Sequence, residues 1–234
     1  MILPAVDAVL LASIDLFRDL PASALAQLAP IVFAANFPPN RTVLTVDEVA
    51  QAVYVICTGT VKVHAAEQDG TEVLIAILGP GEILGEVSLM DGRKPSATVT
   101  ALDHTECLAM DFAMFRDAVR TVPMLGFNFA RILAARLRLA NDQIRALAAL
   151  DVEHRIARQI MAFANRYGEA QPDGSIYVPI RLTQSDLGNI VGASREQTNR
   201  VLGSYRTRGF LSVDVNLRIT ILKPEMLSRL AMSH

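Results

Sequence analysis

Residues 182–202 read LTQSDLGNIVGASREQTNRVL, and this stretch contains two helix starts separated by a glycine. Thr183 precedes Asp186 by three positions, and Ser194 precedes Gln197 by the same interval. At this spacing, the two side chains of each pair can satisfy backbone amides of a first helical turn. Two short helices joined by a glycine turn predict a helix-turn-helix.

The second predicted helix begins at Arg195 and presents a polar first turn to solvent. Val201 and Leu202 lie on the opposite side, so the apolar face packs inward. Glu196 and Arg200 are four residues apart and attract each other on any helix, which makes a plain solvated face the simplest alternative. The outward group consists of Arg195, Glu196, Asn199 and Arg200.

Residues 210–222, FLSVDVNLRITIL, alternate around a turn at 214–216 and predict a β-hairpin wing. An amphipathic helix to about Tyr167 and a short strand within 175–182 precede the two capped helices, which completes a winged helix-turn-helix. A solvated helix face does not by itself explain two capped helices, a glycine turn and a wing together.

The charge of the chain is unevenly distributed. The 234 residues carry a formal net charge of -2, which taken alone argues against binding to nucleic acid. Residues 1–150 hold 11 Lys and Arg against 16 Asp and Glu, whereas residues 151–234 hold 11 against 8. This asymmetry suggests two domains, of which the second is the candidate for phosphate contact.

The first half of the chain changes its pattern twice. Residues 6–30 predict short helices, and from about residue 37 to 112 short β-branched runs are broken by glycine turns, including Asp69-Gly70. Many short strands joined in this way predict an all-β sandwich or barrel. With 51% hydrophobic residues, the chain has enough apolar material for a packed core.

Residues 123–150 predict one long helix with an apolar row at intervals of three and four residues. Such a row is typical of a helix that packs against a second helix, and it predicts a homodimer. A helix lying on its own β domain is the alternative, because about three heptads are only just enough for a two-chain coil. The row consists of Ala130, Leu133, Leu137, Ala140, Ile144 and Leu147.

Several classes of site find no support in the sequence. Cys57 and Cys107 have no CxxC spacing, which argues against a zinc knuckle or a disulfide framework and favours buried, reduced thiols. The apolar N-terminus lacks a basic n-region and no run is long enough to span a membrane, so we predict a cytoplasmic protein. Scattered histidines without an HxH pair argue against metal binding and a cupin-like metalloenzyme, and no enzyme is predicted. These are His64, His104, His154 and His234.

The chain resembles the CRP/FNR family of transcription regulators, which includes the catabolite activator, over nearly its full length. In the second half the resemblance rests on residues 182–202. In the first half it rests on residues 81–99, GEILGEVSLMDGRKPSATV, which are similar to the family's phosphate-binding cassette. The resemblance implies an α+β fold: a cyclic-nucleotide-binding-like β-roll (a double-stranded β-helix) over 1–122, a dimerisation helix over 123–150, and a winged helix-turn-helix over 151–234. It also implies a homodimer that binds double-stranded DNA and works with RNA polymerase.

The resemblance assigns the reading of a TGTGA-like pseudo-palindromic site to the first turn of the second helix. Arginine can bind guanine O6 and N7 with two parallel bonds, and a carboxylate can accept from cytosine N4. Gln197 and Asn199 stand where the catabolite activator has other residues, so the preference at neighbouring base pairs stays open. The base-reading residues are Arg195, Glu196 and Arg200, and the other predicted DNA contacts are Thr183, Gln184, Ser194, Gln197, Thr198, Asn199 and Arg218.

The resemblance also places an effector pocket in the cassette. A glycine-rich turn can hold an anion through its backbone amides, and Glu86 can accept a ribose hydroxyl. Cyclic-AMP-binding members carry an arginine directly before the serine, where this chain has Pro95, and a neighbouring lysine does not reproduce the two-pronged arginine grip. The predicted pocket residues are Gly85, Glu86, Ser96, Ala97, Arg93, Lys94 and Asn141.

The effector therefore stays open at this point. Cyclic AMP is disfavoured by Pro95 and by Ala140, which stands where the activator has one of its two adenine contacts. The family's oxygen-sensing iron-sulfur cluster would need an N-terminal cysteine group that this sequence does not have, and haem is disfavoured for want of a convincing axial ligand. Two hypotheses remain: the pocket binds another small anion, or the protein is active without a ligand. A nucleotide-sensing module whose second domain binds protein is the alternative to a DNA regulator.

Overall fold

The computed structural model describes residues 6–66 and 72–232. Packing of the chain divides it into two compact units: Met1–Glu72 with Ile77–Arg138, and Val73–Ala76 with Leu139–His234. The boundary between the units falls inside the long helix, which was predicted as a segment of its own.

Short helices open the first unit, as predicted for residues 6–30. They are α1 (Ala8–Ala12) and α2 (Ala22–Leu28), with single 3₁₀ turns at Asp15–Phe17 and Ala29–Ile31. Asp7 caps α1, because its Oδ1 accepts a hydrogen bond from the Leu10 amide at 2.8 Å.

Two four-stranded sheets follow, and successive strands alternate between them except for the fourth and fifth, which lie side by side in the second sheet. The first has the order β1 (Phe33–Phe37), β8 (Thr105–Asp111), β3 (Ala52–Thr58), β6 (Ile83–Leu84); the second has the order β2 (Thr42–Leu44), β7 (Thr98–Ala101), β4 (Val61–Ala66), β5 (Glu72–Leu78). This interleaving is the predicted β-roll. The first strand starts before residue 37, because its alanine-rich sequence gives only a weak strand signal. The predicted turn at Asp69-Gly70 lies outside the described residues.

Alternation along β3 and β8 fills two separate cores. Val53 and Leu108 point towards the helices, while Ile56 and Cys107 point into the space between the sheets. Cys107 is buried and Cys57 half-buried, and both thiols are free. Burial raises the pKa of both thiols, which keeps them protonated and unreactive.

Two further helices, α4 (Phe112–Thr121) and α5 (Pro123–Ala149), follow the last strand of the β-roll. Leu125, Phe129 and Ile132 bury the first half of α5 in the helix-side core, and Leu133 packs partly against the same core. The buried Asn128 amide fixes this half, because it donates to the Leu16 and Arg18 carbonyls.

The second half of α5 is different. Leu137 is 63% exposed and Ile144 is 65% exposed, so the apolar row predicted from the sequence reaches solvent there. The alternative interpretation, a helix lying on its own β domain, therefore describes the first half of α5 only, and Leu133 belongs with that half.

The second unit is a winged helix-turn-helix, as predicted. Both capping boxes are present: the Thr183 hydroxyl accepts from the Asp186 amide at 3.0 Å, and the Ser194 hydroxyl accepts from the Gln197 amide at 3.1 Å. The turn residue Gly192 has a φ of 62°, which glycine adopts readily. The helices are α6 (Val152–Tyr167), α7 (Gln184–Val191) and α8 (Arg195–Thr207).

A small sheet completes this unit in the order β11 (Leu211–Val213), β12 (Ile219–Ile221), β10 (Ile176–Val178), β9 (Glu169–Ala170). The hairpin of β11 and β12 is the predicted wing. Three short elements were not predicted: β9, the helix α3 (Glu86–Asp91) inside the cassette, and α9 (Pro224–Met232), which packs on α6 through the buried Leu227.

The Ser194 cap provides a stability test. We expect Ser194→Ala to lower the free energy of unfolding by about 1 kcal/mol, because an amide of the first turn of α8 loses its acceptor. Urea denaturation measures this change. Ser204→Ala, at an exposed position on the same helix, is the matched control and should change stability far less. Equal effects of the two substitutions would contradict the role of the cap.

Candidate functional site

The first two turns of α8 point most of their polar side chains outward. Arg195, Glu196, Asn199 and Arg200 are all exposed, as is Gln197. The opposite side of the helix is buried through Leu202 and Tyr205, and the Tyr205 hydroxyl donates to the Glu153 carbonyl at 2.8 Å. The helix is therefore held from behind by packing and one hydrogen bond, which leaves its front free to contact a partner.

Thr198 was predicted to contact DNA, and that prediction is wrong. Its side chain is wholly buried, and its hydroxyl donates to the Ser194 carbonyl at 3.0 Å. The hydroxyl also lies against Gly188, where an added Cβ would come within 2.9 Å of it. Thr198 thus belongs to the close contact between α7 and α8 and cannot reach a phosphate.

The other predicted DNA contacts differ in the hydrogen bonds that their side chains make. The Gln184 amide donates to Asn199 Oδ1 at 3.0 Å, which joins the start of α7 to the front of α8. The Arg218 Nε donates to the Pro179 carbonyl at 3.3 Å, so the wing is tied to the neighbouring segment. The Thr183 and Ser194 hydroxyls serve as helix caps, which places both at helix N-termini, where an anion is favoured.

The arginines on α8 and just after it differ in exposure and in their partners. Arg206 is exposed in the last turn of the helix. Arg208 is paired with Glu153 at 3.2 Å, and its guanidinium lies 4.3 Å from the centre of the Phe210 ring. Arg206 and the cations at the start of α8 are therefore open to an external partner, whereas Arg208 packs within the unit.

The cassette of the first unit is built around a tight turn before α3. Gly85 has a φ of 83°, and an added Cβ would lie 2.8 Å from the Ala52 carbonyl oxygen, so the position requires glycine. Glu82 and Glu86 flank this turn, and both are buried.

A residue that the sequence did not single out, Arg136 of α5, occupies the cassette. Its Nη1 donates to Glu86 Oε1 at 2.5 Å, and its Nη2 donates to Glu82 Oε2 at 2.8 Å and to the Ile83 carbonyl at 2.7 Å. Burial alone would lower the pKa of Arg136, but the two carboxylates outweigh it and raise the pKa. The only sequence signal was its place off the apolar row of α5.

The predicted pocket residues are only partly brought together. Glu86 is already ion-paired, and Lys94 donates to the Asp47 carbonyl at 2.7 Å. Pro95 and Ala97 are buried, whereas Arg93 and Ser96 are exposed. Asn141 is also exposed and belongs to the other compact unit. The charged groups that meet beside the turn are thus two buried carboxylates and the guanidinium of Arg136, whose side chain is 28% exposed, a balance that does not favour an anion.

The histidines among the described residues lie in separate settings. His64 bonds to the Thr100 hydroxyl at 3.1 Å, and His154 bonds to Asp151 at 2.7 Å beside the start of α6. His234 lies outside the described residues. Within residues 6–66 and 72–232, no cluster of three or more His, Cys, Asp or Glu side chains could hold a metal ion. None of the helices in these same ranges is long and apolar enough to cross a membrane.

Comparison with known proteins identifies both units. Residues 34–122 match the cyclic nucleotide-binding domain, and residues 154–230 match the Crp-like helix-turn-helix domain. The CRP-like cAMP-activated global transcriptional regulator of Mycobacterium tuberculosis is 32% identical over 222 residues, covering 95% of this chain and 98% of the relative. The cAMP-activated global transcriptional regulator CRP of Escherichia coli is 29% identical over 179 residues, covering 76% and 84% of the two chains.

A solved structure shares the fold. FixK2 from Bradyrhizobium japonicum superposes with a TM-score of 0.74 at 21% identity, covering 87% of this chain and 99% of that one. The relatives in sequence are transcription regulators and not enzymes, in agreement with the sequence-based prediction. The chain matches both domain families and is 32% identical to the Mycobacterium tuberculosis regulator over 95% of its own length. It therefore belongs to the CRP family of transcription regulators.

Proposed function

We propose that the protein is a homodimeric transcription regulator that reads a TGTGA-like pseudo-palindromic site, one half-site per chain. The observation that carries this proposal is the front of α8, where Arg195, Glu196 and Arg200 are exposed while the back of the helix is buried. In the major groove, the arginines would bind guanine O6 and N7, and Glu196 would accept from cytosine N4. RNA polymerase is the partner that we propose for the DNA-bound dimer.

The remaining polar residues would fix the register on the duplex. Ser194 and Thr183 stand at helix N-termini, and Gln184 adjoins them, a setting that suits phosphate oxygens. Gln197, Asn199 and Arg218 complete the proposed surface. Such contacts contribute affinity without reading sequence, and they make binding fall steeply with salt. A salt titration therefore separates DNA binding from the alternative of a protein-binding second domain.

The dimer would form along the exposed part of α5. Leu137 and Ile144 are both more than 60% exposed, and Ala140 lies between them on the same face. Phe127, 65% exposed, extends this row towards the start of the helix and was missed because the predicted row began at Ala130. Large exposed apolar side chains in a heptad row are stabilised by burial against a second copy.

We propose that DNA binding does not require cyclic AMP, although two relatives are named as cAMP-activated. The support is local to this chain. Arg136 already binds both Glu82 and Glu86, and Pro95 stands where a guanidinium would be needed for a cyclic phosphate. An anion entering the cassette would meet two buried carboxylates compensated by a single cation.

The base-reading role predicts a loss of specificity. Arg195→Ala should reduce binding to the operator relative to random DNA by about 1–3 kcal/mol, because one bidentate guanine contact is lost. Fluorescence anisotropy with both duplexes measures this ratio. Arg206→Ala removes the same charge from the same helix outside the first turn and should weaken both duplexes alike. Undiminished discrimination by the Arg195 variant would refute the assignment.

The dimer interface predicts a change in mass. Ile144→Glu should convert the protein from a species of twice 25.4 kDa to one of 25.4 kDa, because two carboxylates would face each other across the two-fold axis. Sedimentation velocity measures this. Arg138→Glu, also on α5 but off the apolar row, should leave the dimer intact. A parent protein that sediments as a monomer would exclude the proposed dimer.

The ion pairs of the cassette predict that cyclic AMP changes neither the stability nor the DNA affinity of the protein. A ligand at 100 times its Kd stabilises a protein by about 2.7 kcal/mol, so the thermal midpoint reports binding. We expect cyclic AMP to leave the midpoint and the operator affinity of the parent unchanged. Pro95→Arg, which supplies a guanidinium before Ser96, should respond more than the parent. A clear rise in the midpoint of the parent protein would show that the cassette accepts the nucleotide.

A further inference from the structure

The turn of the helix-turn-helix is held by side chains from two other helices of the same unit. Helix α7 ends at Val191, and the last carbonyls of any helix lack partners within it. The Gln143 side chain of α5 donates to the Ile190 carbonyl at 2.9 Å. The Arg155 side chain of α6 donates to the Gly192 carbonyl at 3.2 Å. Two carbonyls at and beside the end of α7 are thus satisfied from outside.

Further contacts hold the turn against α5 and α6. The same guanidinium of Arg155 donates to the Leu150 carbonyl at 2.9 Å, so one side chain bridges the end of α5 and the turn. Arg158 pairs with Asp142 at 3.7 Å, which ties α6 to α5 once more. Leu147 lies so close to the turn that a Cβ on Gly192 would come within 3.2 Å of its Cδ2. The cation of Arg155 also suits the negative end of the α7 dipole.

The segment that grips the turn also carries the exposed apolar row. Gln143 immediately precedes Ile144, and Leu147 lies one turn further along α5. On the other side of the turn, α8 begins at Arg195, two residues after Ala193. The contacts of Gln143 and Leu147 with the turn therefore connect the proposed dimer row on α5 to the proposed base-reading residues on α8. All of these residues lie within 139–234.

We infer that Gln143 and Arg155 are positioning residues that fix the turn before α8 on the end of the dimerisation helix, and thereby set the spacing between half-sites that the dimer accepts. This inference rests on the proposed function, because it requires a dimer bound to two half-sites. Leu147, placed in the dimer row by the sequence, serves the turn as well in this arrangement. Neither Gln143 nor Arg155 needs to touch DNA for this role.

The spacing of the operator provides the test. Adding one base pair between half-sites rotates one against the other by roughly 34° and separates them by a further ~3.4 Å. The parent should bind the operator of natural spacing more tightly than operators one base pair longer or shorter. Gln143→Met keeps the length of the side chain but removes the donor, and should reduce this preference about fivefold, which corresponds to roughly 1 kcal/mol.

The control is Gln171→Met, because the Gln171 amide also donates to a carbonyl at 3.0 Å, but to that of Glu169, two residues away, and not to the turn. Its spacing preference should equal that of the parent. Binding to a duplex with a single half-site should be equal for all three proteins. Arg155→Lys is the second variant: it keeps the charge but cannot span two carbonyls, and should relax spacing even if Gln143→Met fails to fold.

The outcomes separate the two proposals. If the parent is a monomer or does not prefer the operator over random DNA, the proposed function fails. If the parent selects one spacing and both variants weaken all operators in equal proportion, the side chains are merely structural and this inference is overturned. Relaxed spacing with unchanged half-site binding is the result that the contacts at Ile190 and Gly192 predict.

Discussion

The burial of one side of α8 is the constraint on which the proposed function depends. Thr198, Leu202 and Tyr205 are fixed in the interior of the winged domain, so the side chains between them must point outward. Apolar burial supplies the attachment, and the capping box at Ser194 fixes where the helix begins. The charged side chains at the start of α8 are exposed, which is why we propose recognition of a partner as their role.

In the first unit, one arginine side chain sets the charge balance of the cassette. The cassette keeps the glycine turn and the glutamate that the family resemblance led us to expect, yet Arg136 donates to that glutamate and to Glu82. Removing one member of a buried charged group is strongly destabilising, because the others are left uncompensated. The network therefore ties α5 to the β-roll at Arg136, and the proposal of cAMP-independent binding rests on this contact.

Local patterns in the sequence predicted the parts of the structure that local physics determines. The capping boxes at Thr183 and Ser194, the glycine turn and the wing each depend on residues within a few positions of one another, and all were confirmed. Thr198 was misassigned because its burial depends on how closely α7 approaches at Gly188, which no short pattern reports. Arg136 and Gln143 escaped notice because their partners lie 47 or more positions away in the chain. The identity of the reading residues came from family resemblance and stays a proposal.

A structure of the protein bound to an operator duplex would test the central claim most directly. The measurement is the distance from the Arg195 guanidinium to the nearest guanine in each half-site. Our account predicts two parallel hydrogen bonds, to O6 and N7, at about 2.7–3.2 Å in the major groove of both half-sites. A complex in which α8 lies outside the groove, or in which Arg195 contacts only phosphate, would contradict it.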